Sequence, residues 1–340
     1  MQAEGEEMIR ILGIETSCDE TAAAVVVGGR TILSNVIASQ IDLHAEYGGV
    51  FPEVASRAHI ETIYRVVQEA MATAHMGWDD LDAVAVTRGP GLAGSLLVGV
   101  NTAKGLALGR GLPLLGINHL EAHLYAVWLT EAAKGLEFPL LGLIVSGGHT
   151  ELVLMTDHGE YQHLGATVDD AAGEAFDKVG RLLGLTYPGG PAIQSAAQEG
   201  DSGAFRFPRA WLDDTYNFSF SGLKTAVLRQ VQLLEKDGDD LPVADLAASF
   251  QAAVVEVLAR KTALAADEFD ASAVILAGGV SANLALQEAV TGEVKRAVHF
   301  PPISLCTDNA AMVAACGYWR FQAGQRDGWE MDVLPSLPLV

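Results

Sequence analysis

The chain has 340 residues, half of them hydrophobic, with 43 Asp and Glu against 21 Lys and Arg and a net charge of −22. That is enough to bury two lobes of ordinary domain size, and so acidic a surface argues against a free-standing nucleic-acid binder. Three cysteines without a C-x-x-C pair exclude a full disulfide framework and fit a reducing cytoplasm, and no apolar run approaches a membrane span. Residues 1–7 form an acidic leader with three glutamates and no signal-peptide core, and Met8 is an alternative start. Ile11 to Thr21, continued by Ala22 to Val27, reads as strand, polar turn and strand. A helix over Thr62 to His75, a strand over Ala83 to Val86 and a helix over Leu92 to Leu108 follow. The apolar run Leu112 to Ile117 leads into Asn118-His119-Leu120-Glu121-Ala122-His123, and Thr130 to Glu137 is the linker candidate. Leu140 to Met155 repeats the opening grammar, with Gly142, Ser146 and Thr150 falling on Gly13, Ser17 and Thr21. After a helix over Leu246 to Ala266, Ala273 to Leu276 leading to Gly279 repeats Ala83 to Val86 leading to Gly89. The chain therefore reads as a duplicated α/β protein, with one lobe over 9–133, a second over 138–304 and a ligand cleft between them.

His119 and His123 sit four residues apart, on one face of a helix that starts at Asn118. Asn118 is the predicted N-cap and Glu121, at N3, its capping-box partner. Glu121 then points nearly opposite the two imidazoles, which excludes the metalloprotease arrangement in which the glutamate directly follows the first histidine. The positive helix end favours neutral rings able to ligate a cation. Ser146-Gly147-Gly148-His149-Thr150 reads either as a Gly-Gly hairpin turn or as a turn whose amides and hydroxyls meet an anion. Asp19 and Glu20, on the matching turn, are solvated acids or groups that orient a metal, water or amine. Ala277 to Asn283 is a strand-to-helix turn that admits a flat ligand, capped by Ser281 or Asn283. Asp177-Lys178 and Tyr187 to Pro191 are expected to flank a short helix, the second stretch as a shaped loop. Cys306 to Asn309 precedes an Ala-rich helix, where Asp308 is either an N-cap or a third metal ligand.

GIETSCDET, SRAHIE, GPGLAGSLLVG, NHLEAH, VSGGHTEL, YPGGP, FSFSGLKTAV, AGGVSANLAL and CTDNAAM run from Gly13 to Met312. In number and order these motifs resemble the bacterial tRNA adenosine threonylcarbamoyltransferase subunits, related to the archaeal and eukaryotic Kae protein. The resemblance implies the actin, hexokinase and Hsp70 fold, two duplicated RNase H-like lobes around a nucleotide cleft, with a C-terminal helix of about 305–325 packing back on the first lobe. It implies transfer of threonylcarbamoyl from threonylcarbamoyl-AMP to N6 of the adenosine 3′ to the anticodon, in tRNAs reading codons that start with A. Carried over, the metal ligands fall on His119, His123 and Asp308, a set that suits iron or zinc. Adenylate contacts, or those of an ATP-like surrogate, fall on Ile144, Val145, Ser146, Gly147, Gly148, His149, Thr150, Asp177, Gly190 and Asn283. Asp19 and Glu20 match acids tied to catalysis. Gln194 stands where many relatives carry an acid, and Ser221 is expected to cap a helix. Implied partners are tRNA, an inactive paralogue, a P-loop ATPase and a separate synthase that makes the adenylate. A small-molecule kinase of the same superfamily would share the repeats without needing the histidine pair. A non-catalytic structural subunit would keep the fold and lose the metal triad.

Overall fold

Strand β1 (Arg10–Glu15) runs through the middle of a five-stranded sheet and is buried over its last five residues. An apolar run reads this way when both faces of a strand are covered. It pairs antiparallel with β2 (Glu20–Val27), which pairs antiparallel with β3 (Thr31–Ser39). Helices α1 (Ile41–Ala45) and α2 (Pro52–Thr73) lead to β4 (Ala83–Gly89), parallel to β1. Helix α3 (Ala93–Arg110) returns the chain to β5 (Leu114–Asn118), parallel to β4, and α4 (His119–Tyr125) follows directly. The structure is a computed structural model describing residues 8–213, 215–238 and 240–340; the acidic leader lies outside them. No helix among the described residues is long and apolar enough to cross a membrane.

The second sheet is built by β6 (Leu140–Val145), β7 (Thr150–Asp157) and β8 (Glu160–Ala166). Next come α5 (Ala172–Leu182), α6 (Gly189–Ala197), α7 (Ser221–Asp237) and α8 (Val243–Glu268). Strand β9 (Ala273–Ala277), α9 (Leu284–Glu293), β10 (Ala297–His299), α10 (Ile303–Cys306) and α11 (Ala310–Gln322) complete the chain. The orders are β3-β2-β1-β4-β5 and β10-β9-β6-β7-β8, the same topology twice. The repeat holds residue by residue. Gly13 faces Ala24 and Ala85 as Gly142 faces Val153 and Ile275, which is the alignment that the sequence motifs predict.

Chain packing separates two compact units, one of residues 8–135 with Thr307–Val340, the other Leu136–Cys306. In the first, Leu12, Ile14, Val84 and Val86 meet Val66, Val67, Val100 and Ala103. Helix α11 packs against the same unit's sheet and α4. A Cβ on Gly13 would stand 2.3 Å from the Ala310 carbonyl oxygen, so glycine lets α11 lie directly on β1. In the second unit, Leu141, Leu143, Val274 and Leu276 pack with Phe176, Phe250 and Val254.

Two local expectations are corrected. Asp177 and Lys178 lie inside α5, because Ala172, Ala175, Phe176 and Val179 make one continuous buried helical stripe. What separates them from Tyr187 is a turn, and Gly189 to Pro191 open α6 instead of forming a loop; proline is tolerated in a first helical turn. Ser221 is not the cap of α7. Asp169, 52 residues away, accepts the Phe220 and Ser221 amides at 2.8 and 3.3 Å and the Ser221 hydroxyl at 2.6 Å.

Candidate metal centre and nucleotide-binding turn

Asn118 ends β5 in extended conformation, and its side chain accepts from the Leu120 and Glu121 amides at 2.8 and 3.4 Å. That cap starts α4, whose seven residues are all buried, and turns His119 and His123 to one side. Asp308 stands just before α11; Asn309 is the N-cap, accepting from the Met312 amide at 3.1 Å, which leaves the Asp308 carboxylate to the histidines. Its Oδ1 is 3.2 Å from His123 Nε2 and 3.5 Å from His119 Nε2, and the two Nε2 atoms are 3.2 Å apart. Donors about 2.1 Å from a common tetrahedral ion stand about 3.4 Å from one another, so the three atoms have the separations of one metal's ligands.

A carboxylate that the motifs did not single out fixes one ring. Glu15 is fully buried at the end of β1, and its Oε2 lies 3.2 Å from His119 Nδ1. Because a carboxylate only accepts, Nδ1 carries a proton, which leaves Nε2 as the nitrogen that faces Asp308 and could meet a metal. The Thr87 hydroxyl donates to Glu15 Oε2 and the Ser17 amide to Oε1, both at 2.6 Å. Burial alone would push Glu15 up, but the His119 imidazole beside it holds the carboxyl below its usual range. Asp308, also pushed up by burial, is brought well below the usual carboxylate range by His119 and His123. Burial pushes His123 down. For His119 the opposing pull of Asp308 and Glu15 outweighs burial and raises it well above the usual imidazole range. His123 Nδ1 is buried without a hydrogen-bond partner. A fully buried and a partly exposed carboxylate around two buried imidazoles make a donor set that suits one divalent ion.

Asp19 ends the turn from β1 to β2, and Glu20 opens β2. Three successive carbonyls pin that turn: Ser17 O accepts from the Leu92 amide at 2.8 Å, Cys18 O from His59 Nε2 at 3.0 Å, and Asp19 O from the Gln40 amide at 3.1 Å. Glu20 Oε1 accepts from the Ser39 hydroxyl at 3.1 Å. Burial, then the negative charges of Asp308 and Asp19, push Glu20 up to about 9. The field of the Asp308 carboxylate thus reaches this turn.

In the second unit, Ile144 and Val145 end β6, and Ser146 to His149 form the equivalent turn before Thr150. The Ser146 amide donates to His149 O at 2.8 Å and the His149 amide to Ser146 Oγ at 3.1 Å. A Cβ on Gly147, Gly148 or Gly190 would meet nothing within 4 Å, so folding does not demand glycine at these three places and the backbone is open to a ligand. Gly278, with φ of +87°, brings the next turn against Val145, where a Cβ would stand 2.5 Å from the carbonyl oxygen. Asp177 Oδ1 accepts the Gly189 amide at 2.8 Å and so fixes the start of α6 beside Gly190. Asn283 caps α9 through the Leu286 amide at 3.0 Å and donates to Gln251 at 2.8 Å. Gln194 accepts the Leu284 amide at 2.7 Å, tying α6 to the start of α9. The turn, Asp177, Gly190 and Asn283 are thereby held in one linked framework.

A sequence profile of the family described as TsaD, tRNA N6-adenosine threonylcarbamoyltransferase, matches residues 31–315. The protein of that name from Thermomicrobium roseum is 56% identical, covering 97% of each chain. The one from Geobacillus kaustophilus is 54% identical over 100% of this chain and 99% of its own. Among solved structures, HypF from T. kodakarensis matches with a TM-score of 0.64 at 15% identity, over 94% of this chain and 49% of its own. Component A of the Acidaminococcus fermentans (R)-2-hydroxyglutaryl-CoA dehydratase matches with a TM-score of 0.54 at 14% identity, over 93% and 99%. At such identities the structural likeness speaks for the fold alone, the duplicated α/β architecture described above. With its converging imidazoles, its open Gly-Gly turn and relatives alike over nearly their whole length, the chain belongs to the tRNA N6-adenosine threonylcarbamoyltransferase family.

Proposed function

We propose that this chain transfers the threonylcarbamoyl group of threonylcarbamoyl-AMP to N6 of the adenosine 3′ to the anticodon, in tRNAs reading codons that start with A. The observation that carries the reading is the convergence of His119, His123 and Asp308 beside the Asp19-Glu20 turn in a member of this family. The three residues hold one divalent ion, iron or zinc, with Glu15 keeping the His119 proton on Nδ1. When bound, that metal supplies Lewis-acid polarisation of a substrate oxygen. The N6 lone pair attacks the carbamoyl carbon, the carbon–oxygen bond to phosphate breaks, and AMP leaves with the bonding pair. Burial, then the charges of Asp308 and Asp19, push Glu20 up, so Asp19 is the carboxylate assigned to accept the N6 proton. The amides and hydroxyls of Ser146 to Thr150 stabilise the phosphate charge of the leaving group, while Asp177, Gly190 and Asn283 fix the adenosine. Gln194, an uncharged acceptor already committed to the Leu284 amide, makes no charged ribose contact.

A net charge of −22 is set against a polyanionic substrate whose affinity normally comes from neutralised phosphates. The inactive paralogue and the P-loop ATPase therefore supply much of the tRNA surface, and a separate synthase supplies the adenylate. Purified chain is mixed with threonylcarbamoyl-AMP, tRNA and each partner omitted in turn, and nucleosides are read by mass spectrometry. Modified adenosine in the complete mixture is expected; its absence there, with folded components, excludes the reaction. Full turnover by the isolated chain excludes the need for partners.

A further inference from the structure

Glu121 lies between the two histidines in sequence, on a helix with no exposed face, and is itself 1% exposed. Its Oε2 accepts from both Nε (3.0 Å) and Nη2 of Arg320. That arginine is in the third turn of α11, about 15 Å along the helix from Ala310. Asp308 moves with the same helix, because Asn309 caps it. Two helices thus bring in all three candidate ligands, and the Glu121–Arg320 charge pair, its carboxylate buried and its guanidinium partly exposed, joins them.

We infer that the Glu121–Arg320 pair is the positioning device that sets Asp308 against His119 and His123 and so tunes metal affinity. This rests on the metal site proposed above. Where α11 crosses β1 and β4, the closest contacts are between small residues, Ala310 and Ala314 against Gly13 and Gly317 against Ala85, while Tyr318 packs its ring over Gly29. These contacts fix how closely the helix approaches, and the charge pair at its far end adds a directional tie between α11 and α4. A slip of one residue moves the helix about 1.5 Å, and metal–ligand distances tolerate only about 0.2 Å. A guanidinium fork held to a buried carboxylate fixes both direction and distance, which a single ammonium point charge does not.

The test measures zinc affinity of the full chain by competition with a chromophoric chelator. The proteins are the wild type, Glu121→Gln, Arg320→Lys, the double variant Glu121→Met/Arg320→Met, and His119→Ala/His123→Ala. The methionine pair fills the space without leaving a lone buried charge; Glu121→Gln keeps an acceptor should the double variant fail to fold. Expected is about a tenfold or greater loss of affinity in the double variant, with Arg320→Lys and Glu121→Gln between it and the wild type. A pair that served only stability would lower the melting temperature and leave the affinity of the folded protein unchanged, and that result overturns the inference. Zinc retained by the histidine double variant overturns the metal site itself, which separates the two failures.

Discussion

The turns Thr16 to Asp19 and Ser146 to His149 occupy the same place in two copies of one topology, yet they are built in opposite ways. The first is crowded. A Cβ on Gly99 would stand 2.3 Å from Thr16 Oγ1, and carbonyls of the turn are bonded by groups from three other segments. The second is held by its own Ser146 and His149 and by α5, and two of its four residues have no neighbour where a side chain would begin. Crowding suits a turn that aims carboxylates. Open backbone suits one that receives an anion. Duplication supplied one frame, and the neighbours of each turn decided its chemistry.

Removing the cation side of this contrast should have the largest effect. His119→Ala/His123→Ala should lose stoichiometric metal, with the second unit's turn still binding nucleotide. Elemental analysis and calorimetry on the folded variant read both, and full metal content would exclude the ligand assignment.

Crowding and openness are told apart by two glycine substitutions. Gly99→Ala pushes a methyl into a hydroxyl that is bonded to Ser95 O, and should cost about 1–3 kcal/mol of stability. Gly148→Val should leave the melting temperature nearly unchanged and weaken adenylate or ATP binding by more than about 1 kcal/mol. Equal losses of stability in the two variants would erase the distinction between the turns.

The acids of the first turn sharpen it through pH. Burial first, then Asp308 and Asp19, hold the folded-state value of Glu20 near 9, above an ordinary value of 4.5. Between these values the folded protein binds the extra proton, so this contribution to stability is complete below pH 4.5 and declines toward pH 9. Glu20→Gln should flatten the melting temperature of metal-free protein across that window; an unchanged slope would refute the shift.

The smallest effect belongs to the second unit's cap. Burial opposes it, but the hydroxyls of Ser219 and Ser221 and two amides hold Asp169 below the usual range. Its contribution is present above about pH 4 and is lost as the pH falls through the depressed value. Asp169→Ala should cost about 1 kcal/mol at neutral pH and less in acid, as denaturant titrations at two pH values will show.

The duplication was legible because glycine, serine and threonine recur at fixed steps between apolar strands, and strand register copies sequence spacing. The histidine pair was legible because i and i+4 share a helix face. Asp177 was misplaced since a Gly-Pro stretch drew the helix boundary toward itself, although the buried stripe ran on through Val179. Glu15 and Arg320 escaped for another reason. Each acts on a partner more than 100 residues away, and no local spacing records such a pairing. An ionisable residue closing the apolar run Ile11 to Ile14 was the one local signal for Glu15. The cap of α7 was missed likewise, since Ser221 is the local candidate and Asp169 the distant one.

Glycine at position 13 gives the first unit a schedule. The strand that opens the described chain has one of its covering helices some three hundred residues later, so during synthesis one face of its sheet waits for α11 while α2 and α3 cover the other. Leu136–Cys306 is contiguous and can close beforehand. Asp308 arrives with α11, so the cluster it forms with His119 and His123 is completed only after the contiguous second unit has been made.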